Sequence, residues 1–321
     1  MPRKGDLTVT TKHEATDESL NRPRNHLVTD ATKPFDFVFK QYGKPASIIV
    51  HQTPEEETWP GGALWDIGVL LSHVLVGLAG FESPGCAKVP ARLQSAFYAS
   101  SSPISLHDLS LLELGCGVGL TGIVAAAVLG TRITILTDLK VVVDKVAEPN
   151  MIQNTTIAPP STHKPAHRIT TVGKRGRILA MPLCWGVEQD ESAVQAALQA
   201  FVSSVAKTRP TKNRKGNQSS AQDSRDLNQP DVIVIGDVAY QHKPGAPSHF
   251  DDLLSTVLKF LGPQTLVIFG TRLRMPCSQD LLELFSSHME EIVVPPIRAD
   301  EIDPSFAKFK HQITIHVFRK R

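Results

Sequence analysis

The feature that most constrains this chain is the stretch LLELGCGVGLTG at residues 111–122. An apolar run leads into three closely spaced glycines, Gly115, Gly117 and Gly119, and a second apolar run follows directly. Glycine lets a strand turn sharply into a helix and lets the backbone approach a ligand closely, while the start of the helix exposes free N–H groups. The stretch therefore predicts a strand, a tight turn that contacts a ligand, and a helix.

The remainder of the chain repeats this alternation of apolar strands and helical stretches. Strands are predicted at 109–114, 132–137, 178–183, 231–236 and 264–270, and helices at 120–129, 141–153, 191–206, 248–261 and 280–288. Two apolar stretches, 291–294 and 311–318, close the chain, and no helical stretch is predicted between them. This alternation predicts an α/β fold of the Rossmann-like kind, with a mostly parallel sheet and helices on both of its faces.

The N-terminal part and the connections follow a different pattern. Residues 1–34 are polar and predict a disordered arm, followed by a single domain over 35–321. Within it, 35–50 predicts two short strands and 61–79 an amphipathic helix. Three insertions rich in polar residues, glycine or proline are predicted at about 80–108, 155–177 and 207–230, the first with a short helix at Ala91–Tyr98.

Composition excludes several classes of protein. Hydrophobic residues make up 41% and charged residues 21%, and the net charge of +2 gives no strong field for nucleic acid or an anionic membrane. No apolar run reaches the roughly 18 residues that span a bilayer, and the polar N-terminus lacks a secretory core. The four cysteines are widely spaced, as in reduced intracellular proteins. We therefore expect a cytoplasmic protein that also enters the nucleus.

The glycine turn is compatible with two cofactors. From Gly117 it spells G-x-G-x-x-G, which is typical of dinucleotide binding, and from Glu113 it spells E-x-G-x-G-x-G. Asp138, at the end of the second strand, is placed to hold ribose hydroxyls in either case. A carboxylate at Glu113 repels a pyrophosphate but attracts the ammonium and sulfonium of S-adenosylmethionine. The alternative is that Glu113 only accepts a backbone N–H bond at the end of the strand.

Further motifs carry a family resemblance. They are LWDIGVLLSHVL at 64–75, LLELGCGVGLTGIVAA at 111–126, TDLK at 137–140, EPNMIQN at 148–154, LCWG at 183–186 and GDVAY at 236–240. With these motifs the chain resembles the seven-β-strand protein-lysine methyltransferases that act on non-histone proteins such as chaperones and translation factors. The resemblance covers about 61–319 outside the insertions. It implies a seven-stranded sheet with an antiparallel last strand.

The same resemblance implies site residues. Cofactor contacts are implied at Trp65, Glu113, Gly115, Cys116, Gly117, Gly119, Asp138, Trp185 and Gly236. Of these, Trp65 would lie near the methionine end of S-adenosylmethionine, Asp138 would hold the ribose and Trp185 would cover the adenine. Asp237 and Tyr240, the D-x-x-Y pair, would be catalytic, with Asp237 guiding the acceptor amine and Tyr240 orienting it. The methyl group would pass directly to a lysine of a protein substrate, without a metal.

Other interpretations stay open at this stage. Trp65 fits a plain core position, Asp237 fits a helix cap, and Tyr240 fits an ordinary half-buried tyrosine. Lysine is the favoured acceptor; the alternatives are histidine, arginine or a small-molecule amine, and a fold that serves as an inactive binding module. A dinucleotide-dependent dehydrogenase is disfavoured by Glu113. A monomer is expected, because no apolar amphipathic segment is left over, and neither nucleic acid nor a membrane is an expected partner.

Overall fold

The structure, a computed structural model, describes residues 31–84, 89–98, 109–155, 170–172, 176–208, 229–239, 249–273, 276–309 and 312–321. Its strands are β1 (Phe35–Gln41), β2 (Lys44–Val50), β3 (Ser110–Leu114), β4 (Ile133–Asp138), β5 (Thr170–Val172), β6 (Gly176–Pro182), β7 (Val232–Gly236), β8 (Leu266–Arg272), β9 (Met289–Glu291), β10 (Ile297–Arg298) and β11 (Ile313–Lys320). Its α-helices are α1 (Asp66–Leu78), α2 (Ala91–Tyr98), α3 (Leu120–Leu129), α4 (Lys140–Val142), α5 (Glu148–Gln153), α6 (Glu188–Thr208), α7 (Phe250–Phe260), α8 (Pro276–His288) and α9 (Ala299–Ile302).

A mixed sheet forms the centre of the fold. Its order is β10-β11-β8-β7-β3-β4-β6-β5, and β9 pairs with β11. The five inner strands β8, β7, β3, β4 and β6 are parallel, whereas β11 runs antiparallel to β8. This confirms the predicted α/β class with a mostly parallel sheet and an antiparallel last strand. Strands β1 and β2 form a separate antiparallel hairpin, as the pattern in 35–50 predicted.

Apolar layers cover both faces of the sheet. One layer contains side chains of the hairpin, α1 and α3, and the other contains side chains of α6, α7 and α8. Successive residues of β3 alternate between them, so Leu111 joins the first layer while Leu112 and Leu114 join the second. Glu113 therefore points to the side of α3, where its environment is set by that helix.

Four features of the chain differ from the sequence prediction. A short edge strand, β5, lies inside the predicted insertion 155–177. Helical residues do occur between the last apolar stretches, as α9 and as a 3-10 helix at Pro304–Phe309. Nine strands join the main sheet among the described residues instead of seven, because short strands extend both of its edges. The predicted helix over 141–153 is interrupted by a π-helical turn at Val143–Ala147.

The arm and the insertions are described only in part. Residues 1–30 and most of 207–230 lie outside the described residues. In the first insertion α2 has the predicted bounds, and its Arg92 contacts both carboxylate oxygens of Glu301 at 2.8 Å. Among the described helices, none is long and apolar enough to cross a bilayer.

Candidate active site

A cavity of about 280 Å³ opens at the carboxyl ends of the central parallel strands. This is where open α/β sheets place their ligands. The lining residues include all three tryptophans of the chain, Trp59, Trp65 and Trp185. They also include four carboxylates, on Glu57, Glu113, Asp138 and Asp237, and neither a lysine nor an arginine among the described residues. The cavity therefore combines aromatic walls with a cluster of acidic side chains.

The glycine turn forms the floor of this cavity between β3 and α3. Gly115, Gly117 and Gly119 have φ angles of 69°, 53° and 78°, which lie in the left-handed region that favours glycine. A Cβ atom on Gly117 would lie 3.0 Å from the carbonyl oxygen of Gly61. The backbone that precedes α1 thus packs directly on the turn, and a larger residue at position 117 would separate them.

Glu113 accepts a hydrogen bond from the backbone of α3. Its Oε2 lies 2.9 Å from the amide nitrogen of Gly122, in the first turn of the helix. Burial raises the pKa of Glu113 to about 8, although this hydrogen bond and the nearby Thr121 hydroxyl act in the opposite direction. The open alternative from the sequence, a bond to a backbone N–H, is therefore present, and the same side chain also lines the cavity.

Asp138 closes the glycine turn from the end of β4. Its Oδ2 accepts the N–H of Gly117 at 2.8 Å and its Oδ1 accepts the N–H of Leu139 at 2.8 Å. Burial raises the pKa of Asp138 to about 6, and both hydrogen bonds lower it. Asp138 thus occupies an amide of the glycine turn and Glu113 one in the first turn of α3, so neither amide is free for a pyrophosphate, and an ionised carboxylate there would repel its negative charge. This geometry disfavours a dinucleotide.

Trp185 forms a half-buried wall beside Gly115. The residue after it, Gly186, donates its N–H to the Thr256 hydroxyl at 2.9 Å, and that hydroxyl donates to Glu191 at 2.7 Å. Glu191 is also bound by Lys259 at 2.8 Å. Because the Thr256 hydroxyl and the Glu191 carboxylate are buried, this chain of bonds holds the backbone around Trp185 firmly.

Trp59 and Trp65 line the side of the cavity opposite the glycine turn. They belong to residues 51–65, which we call the roof segment. Their rings meet edge to face with centroids 5.5 Å apart, and the Trp65 Nε1 donates to the carbonyl of Pro60 at 3.1 Å. Helix α1 begins at Asp66, so Trp65 occupies its N-cap position and is half-buried against the cavity. Trp65 therefore does not occupy a plain core position on the apolar face of that helix.

The loop after β7 supplies the remaining wall. Asp237 has a φ angle of 54°, and its N–H donates to the carbonyl of Gly270 at 2.8 Å. It does not cap α7, because His249 holds that position. A Cβ atom on Gly236 would lie 3.3 Å from Leu71, so the backbone runs close to α1. Tyr240 lies outside the described residues.

Several cavity residues were not predicted from the sequence. Glu57, Leu139, Cys184, Val238 and His249 all line it. Cys116, which was predicted, is buried in the turn, and burial raises the pKa of its thiol. Glu57 forms an ion pair with Lys145 of the π-helical turn, across the rim of the cavity. These residues come from connections without apolar periodicity, so only their position after a strand or before α1 could have indicated them.

Residues 46–198 match the family model described as lysine methyltransferase. This match covers just under half of the chain. The resemblance noted from the sequence is thereby confirmed, and with it the expectation of an S-adenosylmethionine-dependent methyltransferase. The family match contains Trp65, Glu113, Asp138 and Trp185, and it ends before Asp237.

Similarity to solved structures is distant. A TehB-like S-adenosylmethionine-dependent methyltransferase from Corynebacterium glutamicum is 13% identical over 71% of this chain and 86% of its own, with a TM-score of 0.37. PKMT2 from Rickettsia typhi, in complex with AdoHcy, is 12% identical over 63% of this chain and 26% of its own, with a TM-score of 0.32. A fibrillarin/Nop5p complex is 10% identical over 88% of this chain and 97% of its own, with a TM-score of 0.39. No curated protein matches the sequence significantly.

The described residues contain no cluster of three or more histidine, cysteine, aspartate or glutamate side chains that could hold a metal ion. The H-x-x-x-H pair at His163 and His167 lies outside the described residues.

Proposed function

We propose that this chain transfers a methyl group from S-adenosylmethionine to a lysine side chain of a non-histone protein. One observation carries the proposal: the cavity is lined by four carboxylates and three tryptophans, and by no lysine or arginine among the described residues. Both reactants are cations, a sulfonium with an ammonium on the cofactor and an ammonium on the acceptor. An acidic cavity with aromatic walls favours both of them over phosphate groups, because a cation stabilises the ionised form of a carboxyl group and a phosphate does not.

The residues present fit the cofactor. Asp138 would hold the ribose hydroxyls, Trp185 would cover the adenine, and the glycine turn would let the backbone approach the ligand closely. Glu113 supplies a carboxyl group beneath the turn that a cationic ligand would favour in its ionised form, and Trp65 encloses the opposite side. S-adenosylmethionine, when bound, would supply a methyl group on a positively charged sulfur; a neutral amine can form a bond to the methyl carbon directly, and the sulfur leaves as the neutral thioether of S-adenosylhomocysteine.

The remaining work of the site is to deliver a neutral amine. A lysine has a reference pKa of about 10.4, so it must lose a proton before it can act as a nucleophile. The aromatic walls disfavour the charged form by desolvation, while Asp237 at the cavity attracts the incoming ammonium. We assign Asp237 the guiding role, and Tyr240, outside the described residues, the orienting role implied by the family resemblance. Positioning then accounts for most of the catalysis.

The partner proposed is a folded protein with an exposed lysine, such as a chaperone or a translation factor. The family description favours lysine as the acceptor. We further propose that the enzyme acts as a monomer in the cytoplasm and the nucleus, without nucleic acid as a partner. Sedimentation of the purified chain and fractionation of cells test these two points separately.

The first experiment is calorimetric titration of the full chain with S-adenosylhomocysteine, with NAD as the competing ligand and Asp138→Ala as the control variant. We expect S-adenosylhomocysteine to bind, NAD not to bind, and the variant to lose binding. A labelled methyl donor added to cell lysate, followed by mass spectrometry of the labelled proteins, then identifies the acceptor residue.

The outcomes separate the alternatives. Label on lysine supports the proposal, and label on histidine, arginine or a small molecule replaces the acceptor but keeps the methyltransferase. Binding of S-adenosylhomocysteine without any transfer would favour an inactive binding module. Binding of NAD alone would overturn the proposed function.

A further inference from the structure

Two asparagine side chains cover the outer edge of the hairpin. Asn150 binds the backbone of His51, its Oδ1 accepting the N–H at 2.8 Å and its Nδ2 donating to the carbonyl at 2.9 Å. Asn154 binds Ile49 in the same way, at 3.0 Å and 2.6 Å. Residues four apart along a helix face the same side, as do residues two apart along a strand. The two amides therefore pair with the strand edge in register.

The two asparagines differ in their remaining bond. The Nδ2 of Asn150 also donates to the carbonyl of Val118 at 3.0 Å, and Val118 lies in the glycine turn and lines the cavity. The Nδ2 of Asn154 donates instead to the carbonyl of Asn150 at 2.8 Å, within its own helical segment. Asn150 is 2% exposed, so water does not compete readily for its bonds.

The backbone that Asn150 holds continues directly into the roof segment. The Oε1 of Gln52, the next residue after His51, accepts the N–H of Leu64 at 2.8 Å, immediately before Trp65. The N–H of Thr53 donates to Gly62 at 2.8 Å. These bonds close residues 52–64 into a loop whose base is fixed at His51. One buried amide thus connects the base of the roof to the turn that forms the floor.

We propose that Asn150 is a positioning residue for the cofactor, because its amide sets the roof segment and the glycine turn at a fixed separation. This inference rests on the proposed function. Loss of the donated bonds frees the Val118 carbonyl and the His51 carbonyl from their shared partner. The cavity then binds its ligand less tightly, although the ligand does not contact Asn150.

The chain offers a matched pair of variants to test this. Asn150→Asp and Asn154→Asp each replace an amide nitrogen that faces two carbonyls with an oxygen, and neither changes the size of the side chain. Only Asn150→Asp removes a bond to the glycine turn. Binding of S-adenosylhomocysteine is measured by calorimetry, and the unfolding free energy by urea titration, on the full chain for both variants and the unaltered protein.

We expect Asn150→Asp to lose more stability than Asn154→Asp, because Asn150 is buried and Asn154 is half-buried. The affinity for S-adenosylhomocysteine should fall about tenfold in Asn150→Asp and stay within about twofold in Asn154→Asp. Equal affinities in the two variants would overturn the inference and leave the proposed function intact. Failure of the unaltered protein to bind S-adenosylhomocysteine would instead reject the proposed function on which the inference rests.

A second measurement needs no variant. Hydrogen exchange of the unaltered protein, with and without S-adenosylhomocysteine, reports on the amides of Ile49 and His51, which the two asparagines hold. We expect the ligand to slow exchange at His51 more than at Ile49, because only the first is held by the residue that contacts the turn. Protection confined to residues that line the cavity would contradict the coupling.

Discussion

The turn after β3 and the loop after β7 lie at the ends of neighbouring parallel strands, yet they are built differently. In the first, Glu113 and Asp138 bind backbone amides of the turn, and three glycines adopt left-handed angles. In the second, a non-glycine residue, Asp237, adopts the left-handed angle, and its backbone N–H binds Gly270 of the neighbouring strand β8.

The difference in construction indicates that the two regions have different functions. A turn whose amides are held by buried carboxylates presents the same surface to every ligand, which suits a constant cofactor. A loop with a polar residue in a less favoured backbone conformation is typical of a site that acts on a substrate. This comparison supports the proposal that the first turn holds the cofactor and the second loop faces the acceptor.

The largest expected effect separates the two assignments. Asp237→Asn should lower turnover about a hundredfold, because the carboxylate that guides the amine is lost, while the affinity for S-adenosylhomocysteine is unchanged. Asp138→Asn should instead lower the affinity for S-adenosylhomocysteine, which calorimetry measures. If Asp237→Asn keeps full turnover with intact cofactor binding, its assignment to the acceptor is wrong.

The next comparison concerns packing at one glycine from each region. A Cβ atom on Gly122 would lie 2.1 Å from a methyl group of Leu136 and 2.6 Å from the Glu113 carboxylate. On Gly236 the nearest contact would be 3.3 Å, to a methyl group of Leu71. Gly122→Ala should therefore lower the unfolding free energy by about 1–3 kcal/mol, and Gly236→Ala by less. Urea titration of the two variants measures both losses of unfolding free energy. A larger loss in Gly236→Ala than in Gly122→Ala would contradict this prediction.

Proton release on ligand binding should distinguish the two regions. With a pKa of about 8, Glu113 is mostly protonated at pH 7 in the free protein. A cationic ligand favours its ionised form, so binding of S-adenosylmethionine should release part of a proton, seen as a dependence of binding heat on the buffer. Glu113→Gln should abolish the release, whereas Asp237→Asn should leave it in place.

The same shift fixes the sign of the pH dependence of stability. The folded-state pKa of Glu113 is raised from 4.5 to about 8. The contribution of its protonated form to the free energy of unfolding is therefore fully present below about pH 4.5 and is lost as the pH rises towards 8. Thermal unfolding of Glu113→Gln between these values should show a weaker decline with pH than the unaltered protein. An equal decline would assign the proton to another group.

The smallest expected effect lies where the two regions touch. A Cβ atom on Gly115 would lie 2.9 Å from a methyl group of Val238. Val238→Ala should therefore make Gly115→Ala less destabilising, by about 1 kcal/mol in a double-mutant cycle, while the strain of the left-handed angle remains. Strictly additive changes in unfolding free energy would show that the packing of one region does not affect the other.

The sequence predicted those parts of the fold that local patterns determine. Helix α3 has the predicted bounds Leu120–Leu129, because a glycine with a left-handed angle stands at each end of an apolar run. Helix α2 was also predicted with its correct bounds. The strands of the parallel core and the floor of the cavity follow from the same patterns of apolar runs and glycines.

Parts that depend on distant contacts were missed. Strand β5 has three residues and forms only because β6 offers it an open edge. Helix α9 starts at a residue that is not a usual N-cap, Arg298, whose N–H is bound by Glu301. Glu57 reaches the cavity through the folding of the roof segment, which no periodicity in 51–65 indicates. The role of Asn150 likewise needs three segments that are far apart in sequence.

The asparagine pair on the hairpin has a consequence for the behaviour of the protein at high concentration. A strand with an unpaired edge is a template on which another chain can add, which promotes aggregation. In β2 the outward N–H and C=O groups of Ile49, and those of His51 directly after it, are already taken by Asn154 and Asn150. The hairpin therefore carries its own protection against edge-to-edge association, supplied by side chains instead of a further strand.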